Sequence, residues 1–170
     1  MRRSMLVFPL LFALAPTGCP AQQQTARRAD CTVGRVSDGD SFRCNDGRRI
    51  RLIGIDSPES QQHPAGEKAR AALLRLLPPG STVQLETDIT PTDRYGRTLA
   101  YVWSGFKLVN EAMVREGWAV LYTVPPNVSY AKRLEAAQKE ARARGTGLWS
   151  QHGFDCMPSD FRRNRCLSPP

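Results

Sequence analysis

The stretch Arg51-Leu52-Ile53-Gly54-Ile55-Asp56-Ser57-Pro58-Glu59 constrains this chain more than any other. It starts with the aliphatic and β-branched residues of a strand and stops at a Ser-Pro break. It carries one guanidinium and two carboxylates. Side chains alternate along a strand, so Arg51 and Asp56, an odd number of residues apart, belong on opposite faces. They converge only if the strand bends between them, and Gly54 is where a bulge costs least. The alternative is that Gly54 relieves packing and Arg51 is a solvated surface charge. Converged, a fixed cation beside two anions suits a phosphate diester held next to a metal ion.

The flanking sequence reads as a small barrel. Thr32, Val33 and Val36 make a first strand, and Asp38-Gly39-Asp40 turns the chain into a second, with Ser41, Phe42 and Cys44. Asn45-Asp46-Gly47 is a hairpin signal, and a third strand runs from Arg48 to Ile55. Ala69, Ala72, Leu73, Leu76 and Leu77 recur at helical spacing until Pro78-Pro79-Gly80 stops them. Val83, Leu85 and Thr87 alternate as a fourth strand, and Leu99, Tyr101 and Trp103 as a fifth. A second helix is expected over Lys107 to Glu116. A third is expected over Ser129 to Arg144, with Tyr130, Leu134, Ala137 and Ala141 on its apolar face and Gly145 at its end. Strands with one helix between the third and fourth follow the order of an OB fold. The fold class expected is α+β, a five-stranded OB-fold barrel with three helices.

The ends point to export. Arg2 and Arg3 precede an apolar run, Met5 to Ala15, too short to span a bilayer. Thr17-Gly18-Cys19 resembles a lipoprotein processing site with Cys19 lipidated, although Pro16 fits it poorly. Alternatively, cleavage after Ala21 leaves Gln22 first. Residues 1–21 are therefore read as a signal, 22–30 as a linker, 31–150 as the domain and 151–170 as a cysteine-bearing tail. Apart from Cys19, four cysteines remain: Cys31, Cys44, Cys156 and Cys166. An even set in an exported chain implies disulfides, and the pairing favoured here is Cys31–Cys44 with Cys156–Cys166. There is no Cys-x-x-Cys and the sequence has two histidines, His63 and His152, so zinc is not expected. The net charge of +8 attracts polyanions, nucleic acid first and anionic membrane second.

Three turns carry acids or arginines: Asp38-Gly39-Asp40, Asp56-Ser57-Pro58-Glu59 and Asp93-Arg94-Tyr95-Gly96-Arg97. Alone, each is an ordinary turn. Together, DGDS, RLIGIDSPE, DRYGRTLAYVW, NEAMVREG and the closing GLWS resemble the thermonuclease family, from about Cys31 to Ser150. The resemblance implies that Asp40 and Asp56 hold a calcium ion, with the backbone carbonyl of Ser57. It implies that Glu59 activates or orients the attacking water. Arg51 and Arg97 would grip the scissile phosphate, and Arg94 and Tyr95 would contact its neighbour. The implied protein is an exported, calcium-dependent endonuclease, expected to be a monomer, acting on DNA and RNA with little sequence preference.

Calcium takes carboxylate, carbonyl and water oxygens, and paired arginines donate forked bonds to phosphate, so the residue types fit those roles. Asp38 and Glu86 are read as structural. Ser41 and Ser57 replace the family's threonines. Thr123 and Val124 stand where the family has tyrosines on the base, with Tyr122 nearby but shifted, so base preference and substrate length stay open. The main rival is an OB module that binds nucleic acid without cutting it. A lipid-anchored structural protein is a third reading, and it rests on Cys19.

Overall fold

The computed structural model describes residues 28–166. The signal and lipoprotein readings at residues 1–21, Cys19 included, lie outside them. In chain order the elements are β1 (Arg28–Val36), β2 (Ser41–Cys44), β3 (Arg49–Leu52), β4 (Ile55–Asp56), α1 (Ala65–Leu76), β5 (Thr82–Glu86), β6 (Thr98–Ser104), β7 (Lys107–Leu108), α2 (Val109–Arg115), β8 (Val120–Leu121), α3 (Ala131–Arg144), a 3-10 turn (Gly147–Ser150) and α4 (Pro158–Phe161).

The main sheet runs β3-β2-β1-β5-β6, and β3 also pairs with β6, so five strands close on themselves. That closing seam is parallel, with Arg51 opposite Leu99, while the other barrel pairs are antiparallel. This is the mixed five-stranded OB barrel expected from the strand order. Residues at every second position fill its interior: Cys31 and Val33, Phe42 and Cys44, Ile50 and Leu52, Val83 and Leu85, Ala100 and Val102. Leu73 of α1 and Leu77 just after it, Val109 and Met113 of α2, and Leu134 and Ala137 of α3 join the same core. The opposite face of β6 is also covered, because Tyr101 and Trp103 pack against Tyr130 and Ile53. Leu99, Tyr101 and Trp103 therefore form an outer layer rather than the barrel's inside.

Several boundaries differ from the sequence expectations. β1 begins at Arg28, inside the stretch read as a linker, because Arg28 to Thr32 pair with β5. The expected third strand is cut in two. β3 ends at Leu52, and Ile55–Asp56 leave the barrel to pair with β8. Lys107–Leu108, expected as the start of the second helix, pair with Trp103 and Ser104 instead. The tail adds α4 and docks on the domain: Phe154 is buried with Ala65, Val120 and Leu148. Cys31 is joined to Cys44 across β1 and β2, and Cys156 to Cys166 across α4, with Cα separations of 5.8 and 5.5 Å.

Candidate active site

The centre of the site is built by the break in the third strand. Gly54 has φ +78°, a left-handed conformation that side chains rarely adopt, and a Cβ there would lie 2.6 Å from Leu134. The reversal of facing at this glycine returns Asp56 to the side of Arg51. The Arg51 guanidinium then meets Asp40 Oδ1 at 3.1 Å through Nε and Asp56 Oδ1 at 3.2 Å through Nη2. Its Nη1 donates to the carbonyls of Leu52 and Ile55 at 2.6 and 2.8 Å. The side chain is 14 % exposed, so Arg51 is no solvated surface charge.

Asp40 is placed by its own turn. Asp38 Oδ1 accepts from the Asp40 N–H at 3.0 Å, and Asp38 Oδ2 accepts from the Ser41 hydroxyl at 2.7 Å. Asp38 is thus the turn's fastener, as its structural reading expects. Asp40 Oδ2 accepts the Ser57 N–H at 2.8 Å, which ties the first acidic turn to the second. Burial pushes the Asp40 carboxyl up to about 7, against the opposing pull of Arg51.

Glu59 lies at the outer edge of this cluster. Its backbone N–H donates to Gln62 Oε1 at 2.8 Å, and its carboxylate is about a third exposed. The group that connects it to the other acids is Arg162, from the turn that closes α4. Arg162 Nη1 donates to Glu59 Oε1 at 2.6 Å and to Asp56 Oδ1 at 3.0 Å, and Nη2 donates to Asp56 Oδ2 at 2.8 Å. Sequence reasoning missed Arg162. The residue lies 106 positions beyond Asp56 and outside every motif, and its one signal is that the expected Cys156–Cys166 pair encloses it.

The third turn stands beside this cluster without bonding to it. Arg97 lies two residues before Leu99, the partner of Arg51 across the seam, so alternation puts it on Arg51's side of the sheet. Its Nε donates to Asp93 Oδ2 at 2.7 Å, while the Arg97 and Tyr95 N–H groups donate to Asp93 Oδ1. Burial works to raise the Asp93 carboxyl, but these bonds outweigh it and hold the group below its ordinary value. Arg94 donates to the Tyr95 hydroxyl at 2.6 Å, and Arg49 donates to the Tyr95 carbonyl. The Tyr95 ring is exposed and carries the Arg94 guanidinium 4.8 Å from its centre. Glu86, in contrast, is buried structural charge, bonded to Arg28, Trp103 and Tyr130.

The structure therefore gathers Asp40, Asp56, Ser57, Arg51 and Glu59 at one place and sets Arg94, Tyr95 and Arg97 on the adjoining loop. Among the described residues no cluster of three or more His, Cys, Asp or Glu side chains forms a metal cage. Guanidinium groups lie between the carboxylates instead. The donor set still fits a hard cation, being all oxygen, with the carboxyl groups of Asp40 and Asp56 held side by side around Arg51. The family model described as "Staphylococcal nuclease homologue" matches residues 49–151. A thermonuclease of Staphylococcus intermedius is 40% identical over 127 residues, covering 70% of this chain and 75% of that protein. The endonuclease YncB of Bacillus subtilis is 31% identical, covering 81% and 69%. An uncharacterised endonuclease of Haemophilus influenzae is 32% identical and aligns with 98% of this chain and 89% of its own, so that match takes in the tail. The chain belongs to the staphylococcal nuclease homologue family.

Proposed function

We propose that this protein is an exported, calcium-dependent endonuclease that hydrolyses phosphodiester bonds in DNA and RNA with little sequence preference. The nuclease class itself follows from the family and its thermonuclease and endonuclease relatives. The observation that carries the finer reading is Arg51 bound between Asp40 and Asp56, with Glu59 on the open side. Asp40, Asp56 and the Ser57 carbonyl are the groups that would hold the ion. A bound calcium ion would polarise the phosphorus centre as a Lewis acid.

The chain's own residues do the rest. The Glu59 carboxylate orients the attacking water and accepts its proton as the new P–O bond forms and the ester bond breaks. Arg51 has all but one of its guanidinium N–H donors engaged, by Asp40, Asp56 and the two carbonyls. It therefore offers a single, rigidly aimed donor to a phosphate oxygen. Arg97 supplies a second guanidinium from the neighbouring loop, and both stabilise charge that grows on the phosphoryl oxygens. Arg94 and Tyr95, more exposed, are suited to the adjacent phosphate. None of these contacts reads a base edge, which supports low sequence preference.

Export is supported by the Arg2–Ala21 pattern and by the disulfides, which persist in oxidising compartments. Lipidation at Cys19 is the alternative form of export, and membrane fractionation of a Cys19→Ala variant distinguishes the two. The catalytic reading is tested by incubating the protein with linear DNA and with RNA in calcium and in chelator. Digestion in calcium that stops in chelator is expected. Retention of DNA without any cutting in calcium contradicts it and favours the binding module.

A further inference from the structure

Arg162 is not accounted for by any role above. It uses both nitrogens of its fork on Asp56, and it adds Glu59. Asp56 is 2 % exposed, and both of its oxygens are taken: Oδ1 by Arg51 and Arg162, Oδ2 by Arg162. A carboxylate oxygen has few lone pairs to share, and Oδ1 is already saturated. A divalent cation reaching Asp56 meets the Arg162 guanidinium in its place. The two positive charges at that spacing also repel.

The tail is built to keep that guanidinium in reach. Arg162 lies inside the loop closed by Cys156 and Cys166, ten residues apart. Upstream, Gln62 holds the tail to the Glu59 loop: its Oε1 accepts from the Glu59 N–H, and its Nε2 donates to the Cys156 carbonyl at 3.0 Å. Phe154 anchors the same segment in an apolar cluster. A tethered cation competes at a high effective concentration, unlike a free counter-ion. The Arg162 side chain is 40 % exposed, so it can leave the site without unfolding what lies beneath it.

We propose that Arg162 is an internal competitor for the cation site: it caps Asp56 and Glu59 in the ion-free protein, and the ion binds only by displacing it. The affinity for the ion is then set by the tail as well as by the carboxylates, and the site stays capped below a threshold ion concentration. This inference rests on the reading of Asp40 and Asp56 as cation ligands.

Calcium titration calorimetry on the full chain, with disulfides intact, tests it. Arg162→Met is expected to bind calcium about tenfold tighter or more than wild type, the scale of a lost charge-assisted hydrogen bond. Arg163→Met removes the same charge from the neighbouring position and is expected to stay within about twofold, because exposed charges are screened. Arg162→Lys keeps the charge but loses the fork, and should fall between, even if the Met variant folds poorly. Equal or weaker binding by Arg162→Met overturns the proposal, as does an equal gain in Arg163→Met. Calcium heat absent from wild type and from both Arg162 variants sinks the cation reading itself, and is distinguishable for that reason.

Discussion

Arg51 shows how a single residue here serves fold and site together. Its guanidinium is the internal counter-charge for two buried carboxylates and the cap for two backbone carbonyls. Arg51→Ala leaves Asp40 and Asp56 buried without it, and removing one partner of such a set costs about 3–5 kcal/mol. Urea unfolding in chelator should show that loss, and added calcium should restore part of it, since a ligand that binds only the folded state stabilises it. Unchanged stability would mean the acids are solvated. The odd spacing of Arg51 and Asp56 puts them on opposite faces of a regular strand, and Gly54 was the one sign that a bend could bring them together. Arg162 was not legible, because a bond across 106 residues leaves no local spacing or periodicity to read.

At the scale of elements, the barrel is held to its helices by a few buried polar groups. Asn110 of α2 accepts the Val102 N–H at 2.8 Å and donates to the Ile53 carbonyl at 2.9 Å, bridging β6 to the break after β3. Asn110→Leu orphans both groups and should cost about 2–4 kcal/mol in urea unfolding. Glu111 next to it joins α2 to α3 through Arg133 and also bonds Arg115 of its own helix. Burial works to raise its carboxyl, but the two arginines outweigh it and hold it below the ordinary carboxylate range. A carboxyl depressed in the fold is protonated first in the unfolded chain. Its stabilisation is complete above the unfolded pKa and is lost as pH falls through the folded one. The stability gap between wild type and Glu111→Gln should therefore be larger at neutral pH than in acid. A gap that does not change with pH contradicts the ion pairs. Elements with a sustained period were readable: the barrel strands by alternation, and α1 and α3 by helical spacing. β4, β7 and β8 were not, because two-residue strands have no period and exist only through their partners.

On the scale of the whole molecule, the chain is a basic barrel stapled at both ends. Cys31–Cys44 ties β1 to β2 at the end of the hairpin away from the acidic turn that carries Asp40. Replacing both cysteines by serine should lower stability by about 3 kcal/mol, as expected for closing a loop of this length. Denaturant midpoints under oxidising conditions measure it, and no change would mean the bridge does not form. The barrel topology was legible because order and turn signals leave few ways to close a small sheet. The tail's docking was not, since its apolar residues, Phe154 among them, pack only on surfaces the rest of the fold creates. If these distant turns form one hydrolytic site, Glu59 is the residue whose loss reveals it. The measurement is the rate of plasmid cleavage in saturating calcium by wild type and Glu59→Gln, with calcium affinity followed in parallel. Glu59→Gln is expected to cleave about 100- to 1000-fold more slowly while still binding calcium. Full activity in Glu59→Gln, or wild-type cleavage that survives chelation, would contradict a shared hydrolytic site.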